Sequence, residues 1–148
     1  MYRTFTQIAW VVLILFAGIL PAQAQFTIRA ASDQPAEGWN RMEYNNKTVW
    51  VSPTVSLSAA DVLRAEPARG PDGRMAVGVF FTEAGKKKMH DLSIAQMGKL
   101  IAIVVDGNVI FAPLIRSEIN GEAQITGNDP SGLTADVVDR IVASVNRK

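Results

Sequence analysis

The sequence predicts an α+β fold: a small mixed or antiparallel sheet with a central β-hairpin at about residues 98–115, packed by two or three helices. Three observations predict it. Leu100–Val105 and Val109–Ala112 are apolar runs joined through Asp106-Gly107, a pair that tolerates the positive φ angles of a two-residue type I′ turn. Several stretches open with a Ser or Thr cap and continue with apolar residues at helical spacing. The intervening segments are short apolar runs bounded by Gly, Pro and Asn. Both hairpin strands are apolar almost without alternation, which requires cover on both faces and puts the hairpin in the core.

The chain has 148 residues, enough for one domain, with 48% hydrophobic and 20% charged residues. It has no cysteine, which excludes disulfides, thiolate metal sites and a cysteine nucleophile. Net charge is +1. A chain this close to neutral lacks the basic surface that nucleic-acid binding needs, so no nucleic-acid partner is expected.

Residues 1–24 read as a secretory signal peptide. Arg3 is their only charge, Ile8–Leu20 is almost wholly apolar, and Pro21-Ala22-Gln23-Ala24 offers small residues before a cut between Ala24 and Gln25. The alternative is an uncleaved N-terminal anchor, although the apolar stretch falls short of the ~20 residues that span a bilayer comfortably. No later segment is apolar enough to cross a membrane. The expected organisation is a signal (1–24), an N-terminal strand-and-loop extension (25–52) and an α+β domain (53–148), located in the periplasm or outside the cell.

Phe26–Ala30 alternates as a half-exposed strand, and residues 32–38 form a loop around Pro35 and Gly38. Trp39, Met42 and Tyr44 read as a lid over one end of the core, with a binding patch as the alternative. Asn45-Asn46 makes a turn, and Thr48–Val51 a strand that pairs with Phe26–Ala30. Ser58 reads as a helix cap, with the Asp61 carboxylate reaching back and Leu57 and Val62 as a hydrophobic staple; Pro67 stops this helix near Ala65. Residues 70–73 turn into a strand over Met75–Phe81.

Thr82 caps the next helix, which includes Gly85, carries Met89, Leu92 and Ala95 as its inner stripe, and ends at a left-handed Gly98. Lys86-Lys87-Lys88 points to different sides of that helix and reads as a solvated surface. In the hairpin, Leu100 is expected to face Pro113, with the ring nitrogen turned away from the first strand and the second strand an edge or broken there. Ile119-Asn120-Gly121-Glu122 is a turn and Ala123–Thr126 a strand closed by Gly127. Thr134 caps a final helix whose inner face is Leu133, Val137, Val138, Ile141, Val142 and Val145.

No catalytic constellation emerges. His90, the only histidine, lies beside Asp91 on a helix, where sequence neighbours do not face each other, and reads as a surface residue. Glu118 and Glu122 flank a turn and would be the acid/base pair of a small hydrolase, but no pocket signature accompanies them. Phosphate-loop, zinc-finger and calcium-loop spacings are absent, so no cofactor or metal is expected.

From Val55 onward the order of elements resembles the periplasmic head subdomain of SecD, part of the SecDF protein-export membrane protein. The phrases that carry the resemblance are Leu57-Ser58-Ala59-Ala60-Asp61-Val62, Phe81-Thr82-Glu83-Ala84-Gly85, Gly98 through Ile110, Ala112-Pro113-Leu114-Ile115, Ile119-Asn120-Gly121 and Ile125-Thr126-Gly127-Asn128. The resemblance implies an α+β domain of the cell envelope that engages polypeptide emerging from the translocon. It does not carry over the membrane-embedded, proton-driven part, whose helices and charges have no counterpart here. The matched positions are caps, turns and core, and none is a catalytic group. The expected function is therefore a non-enzymatic, exported binding module for polypeptide or an envelope protein. The alternatives are an assembly subunit of an envelope complex and a small hydrolase.

Overall fold

A computed structural model describes residues 25–126 and 133–147. In chain order it contains β1 (Phe26–Ser32), β2 (Asn40–Tyr44), β3 (Lys47–Val51), β4 (Leu57–Ser58), a 3-10 turn (Ala59–Asp61), β5 (Val62–Arg69), β6 (Met75–Phe81), α1 (Glu83–Ala95), β7 (Leu100–Val105), β8 (Asn108–Phe111), β9 (Ala123–Thr126) and α2 (Ala135–Asn146). The signal-peptide reading of residues 1–24, with Ala24, and the turn at Gly127 fall outside the described residues. Among the described residues no helix is long and apolar enough to cross a membrane.

The architecture is α+β, and the strands divide between two sheets. One runs β2-β3-β1-β7-β8 with β4 also on β1, and the other runs β5-β6-β9. Strand β1 is central: it pairs with β7 from Phe26↔Val105 to Ala31↔Leu100 and with β3 at Ala31↔Val51. The larger sheet curls until its two edges approach, with the Tyr44 and Phe111 rings meeting edge to face at 6.3 Å. Both faces of β7 are therefore covered. Ile101, Ile103 and Val105 point into the main core, against both sheets and both helices, while Ala102 and Val104 fill the concave side with Val49, Val51 and Val109. Met42 and Tyr44 pack over that concave cluster.

The turn at Asp106-Gly107 has φ of 51° and 80°, and Asn45-Asn46 makes a second such turn at 48° and 59°. The hairpin register differs from expectation. Val105 faces Asn108 and Val104 faces Val109, but Ile103 faces Phe111, so one residue is bulged out. The shift brings Pro113 opposite Ile101, whose N–H donates to the Pro113 carbonyl at 3.0 Å. In an antiparallel pair the Ile101 carbonyl lies on that same side and meets a nitrogen with no hydrogen. The ring nitrogen therefore points toward β7, not away from it, and β8 stops at Phe111.

The helix expected from Ser58 to about Ala65 is a single 3-10 turn followed by β5. Asp61 does reach back, its Oδ2 accepting the Ser58 N–H at 3.0 Å, so the start signal is real. The chain then becomes extended because β6 offers a ladder from Val62↔Phe81 to Arg69↔Met75, interrupted only by a bulge at Leu63. Pro67 is tolerated because β5 is an edge strand, where one row of backbone groups needs no ladder partner. α1 ends earlier than expected, capped at Gln96, with Ala95 exposed. Gly98 is left-handed at φ 73°, but its N–H donates to the Ile115 carbonyl at 2.9 Å, so it joins α1 to the segment after β8. α2 begins where Thr134 Oγ1 accepts the Val137 N–H, and it buries Val138, Ile141 and Val145.

Candidate functional site

The motif residues gather in two structural knots. In the first, the Asp61 carbonyl accepts the Thr82 N–H at 3.0 Å and the Thr82 hydroxyl at 3.3 Å, while Thr82 Oγ1 accepts the Gly85 N–H at 3.0 Å. A side chain at Gly85 would run into that same Asp61 carbonyl oxygen. Lys88 Nζ donates to Asp61 Oδ1 at 2.8 Å, so one lysine of the triplet is tied down rather than simply solvated. Burial pushes the Asp61 carboxyl up, but the hydrogen bonds from Lys88 and Ser58 and the lysine charge outweigh it, holding the group below its ordinary 3.8. The second knot is the hairpin tip, where Asp106 Oδ1 accepts the Gln25 N–H at 3.0 Å. Both knots are satisfied within the fold.

The concavity lies elsewhere. A groove of about 520 Å3 opens where the two sheets part. This lies within the roughly 300–1,000 Å3 of ligand-binding clefts. Ile28, Ile101 and Ile103 come from the larger sheet, Val79 and Phe81 from the smaller, and Met89 from α1. Its remaining lining is the connection from Pro113 to Asn120, Glu122 and strand β9. β9 is the edge of its sheet, so one row of its backbone donors and acceptors has no ladder partner among the described residues. Leu114, 39% exposed, lies at the groove, and Ile94 and Met97 are exposed near the end of α1.

The connection is held at two points. The Ile115 N–H donates to the Lys99 carbonyl at 2.9 Å, and the Ile115 carbonyl accepts the Gly98 N–H. Farther on, the Ile119 N–H donates to Ser93 Oγ at 3.0 Å, and the Ser93 hydroxyl donates to the His90 carbonyl at 2.8 Å. Ser93 was not singled out by sequence reasoning. The available signal was its place four residues after Met89 on the buried stripe of α1, where a hydroxyl needs a partner.

Glu118 and Glu122 both border the groove and are exposed, which brings the two sequence candidates to one site. His90 is half-buried, and its Nδ1 has no hydrogen-bond partner among the described residues. Among the described residues no cluster of three His, Cys, Asp or Glu side chains is placed to hold a metal ion. What the groove offers chemically is an apolar floor, polar groups of Arg116, Ser117, Glu118, Asn120 and Glu122 around it, and a strand edge unpartnered among the described residues. That edge and surface suit contact with another molecule's backbone and side chains.

A two-sheet α+β domain with an apolar cleft between its sheets is thus the class of protein defined. More particularly, the SecDF, P1 head subdomain family matches residues 35–138, and the chain belongs to that family. Protein translocase subunit SecD of Acidaminococcus fermentans is 37% identical over 73 residues, 49% of this chain and 18% of the relative. Protein translocase subunit SecDF of Thermus thermophilus is 40% identical over 72 residues, 48% of this chain and 10% of the relative. The chain thus spans under a fifth of either curated relative. Among solved structures, SecDF in a super-membrane-facing form superposes with a TM-score of 0.60 at 22% identity, over 83% of this chain and 18% of that one. SecDF from Thermus thermophilus, described as a translocon-associated membrane protein, gives 0.57 at 25% identity, over 84% of this chain and 19% of that one.

Proposed function

We propose that this protein is a non-enzymatic binding module of the cell envelope, exported to the periplasm by residues 1–24 with cleavage after Ala24, and that it engages extended polypeptide in the groove. The single observation that carries this reading is the apolar groove bordered by the open edge of β9. An extended chain laid there gains backbone hydrogen bonds from β9 and packs alternate side chains along the groove, where Leu114 is 39% exposed. The relatives support it by name, as protein translocase subunits and as a membrane component that enhances protein export. The role proposed is to hold or receive polypeptide rather than to drive it.

The test uses Leu114. Because it is 39% exposed, Leu114→Asp leaves the core intact while placing a charge in the groove. Photo-crosslinking from position 114 in intact cells is expected to trap polypeptide or a translocation-associated partner. In vitro, Leu114→Asp is expected to weaken binding of an extended apolar peptide by about tenfold or more, since an unpaired charge cannot be desolvated cheaply. Equal affinity in the variant, at unchanged stability, would remove the groove from consideration.

A further inference from the structure

One side of the groove is fastened unequally at its two ends. Ile115 is nearly buried and held by two backbone hydrogen bonds, to Lys99 and from Gly98, both 2.9 Å. Ile119 is only half-buried; its side chain packs against the main core, and among the described residues it makes one hydrogen bond, to the hydroxyl of Ser93. Between them Arg116, Ser117 and Glu118 are exposed and make no hydrogen bond among the described residues. Beyond Ile119, Gly121 has φ 94°, a conformation that needs glycine and leaves the backbone there free to turn.

Ser93 is 0% exposed, and its single hydroxyl proton is already committed to the His90 carbonyl. It holds Ile119 through a lone pair only. When Ile119 leaves, Ser93 keeps its donor bond inside the helix, and the freed N–H finds water at the groove mouth. Release therefore strands no buried donor.

We propose that residues 116–118 form a strap across the groove and that Ser93 is its latch: loss of the Ile119–Ser93 hydrogen bond lets the strap pivot about Ile115 and Gly121 and admits the entering chain. The identity of what enters rests on the polypeptide reading above; the movement rests on the hydrogen-bond pattern. Ser93 acts here as a positioning residue that regulates access.

The experiment compares the full chain with its Ser93→Ala variant. Amide hydrogen exchange is read at Gly98, Ile115 and Ile119, and association with a fluorescein-labelled peptide of alternating valine and serine is followed by stopped flow. The expected result is about tenfold faster exchange at Ile119, equivalent to one net hydrogen bond, with Gly98 and Ile115 unchanged and a faster peptide on-rate. Unchanged exchange at Ile119 would overturn the latch. So would equal acceleration at all three amides, which marks general loosening, or an unchanged on-rate for a peptide that binds. A peptide that binds neither protein removes the polypeptide reading, and the exchange pattern at Ile119 still decides the latch on its own.

Discussion

Asp61 does two jobs with two parts of one residue. Its carbonyl receives Thr82 at the start of α1, and its carboxylate receives Ser58 and Lys88. Lys88 is half-exposed at 52%, so solvent screens the pair and the backbone bond matters at least as much. Asp61→Asn keeps the shape and an acceptor for Ser58, and is expected to cost about 1 kcal/mol at neutral pH by urea unfolding. The folded carboxyl titrates below the unfolded one, so its contribution is fully present above the unfolded value near 3.8 and is lost as pH falls from there through the lower, folded value. The gap between wild type and Asp61→Asn should therefore narrow as pH is lowered below 3.8; a gap that stayed constant would mean that charge plays no part. Gly85→Ala is the second residue-level prediction. Mid-helix Gly→Ala ordinarily stabilises by roughly 0.5–1 kcal/mol. Here the new Cβ meets the Asp61 carbonyl, a backbone atom that cannot step aside. The expected result is instead a loss of about 2 kcal/mol or more in the same unfolding measurement.

At the scale of elements, α1 and α2 were legible because cap and apolar spacing agree within one stretch of chain. The Ser58–Asp61 start signal is equally genuine, but whether a helix continues past its first turn depends on what else competes for the backbone. Here β6 does, and nothing near Ser58 announces it. The one-residue bulge before Phe111 was hidden for the same reason: Asp106-Gly107 fixes the turn, not the pairing four residues away. The groove was the least legible feature, since its lining runs from Ile28 to Thr126 and exists only once both sheets are in place. Asn146 shows a related long-range device. Its side chain donates to the Ala65 carbonyl at 3.0 Å and accepts the Ala65 N–H at 3.3 Å, standing in for a ladder partner on the β5 edge. Asn146→Ala is expected to cost about 1–2 kcal/mol and to speed amide exchange at Ala65 more than at Val77 of the inner strand.

At the scale of the whole molecule, the larger sheet joins the beginning of the described chain to its later half. Phe26 lies against Val105, and the Gln25 N–H closes on Asp106, while β1 has β3 on its other side. The sheet has no centre without β7. A chain ending at Lys99 retains β5, β6 and α1 yet loses the neighbour that buries Ile28. It is expected to show no cooperative unfolding transition by circular dichroism; a sharp transition would mean that β1–β6 and α1 fold without β7, β8, β9 and α2.

Strand β1, fixed between partners so distant in sequence, also sets a schedule. Pairings of high contact order close late, because the intervening loop must lose its freedom before any contact repays the loss. A chain emerging amino end first presents Phe26 and Ile28 long before Ile103 and Val105 exist to receive them. Until then β1 lacks its β7 partner and the larger sheet cannot close. The fold thus postpones its own closure until most of the polypeptide has been delivered.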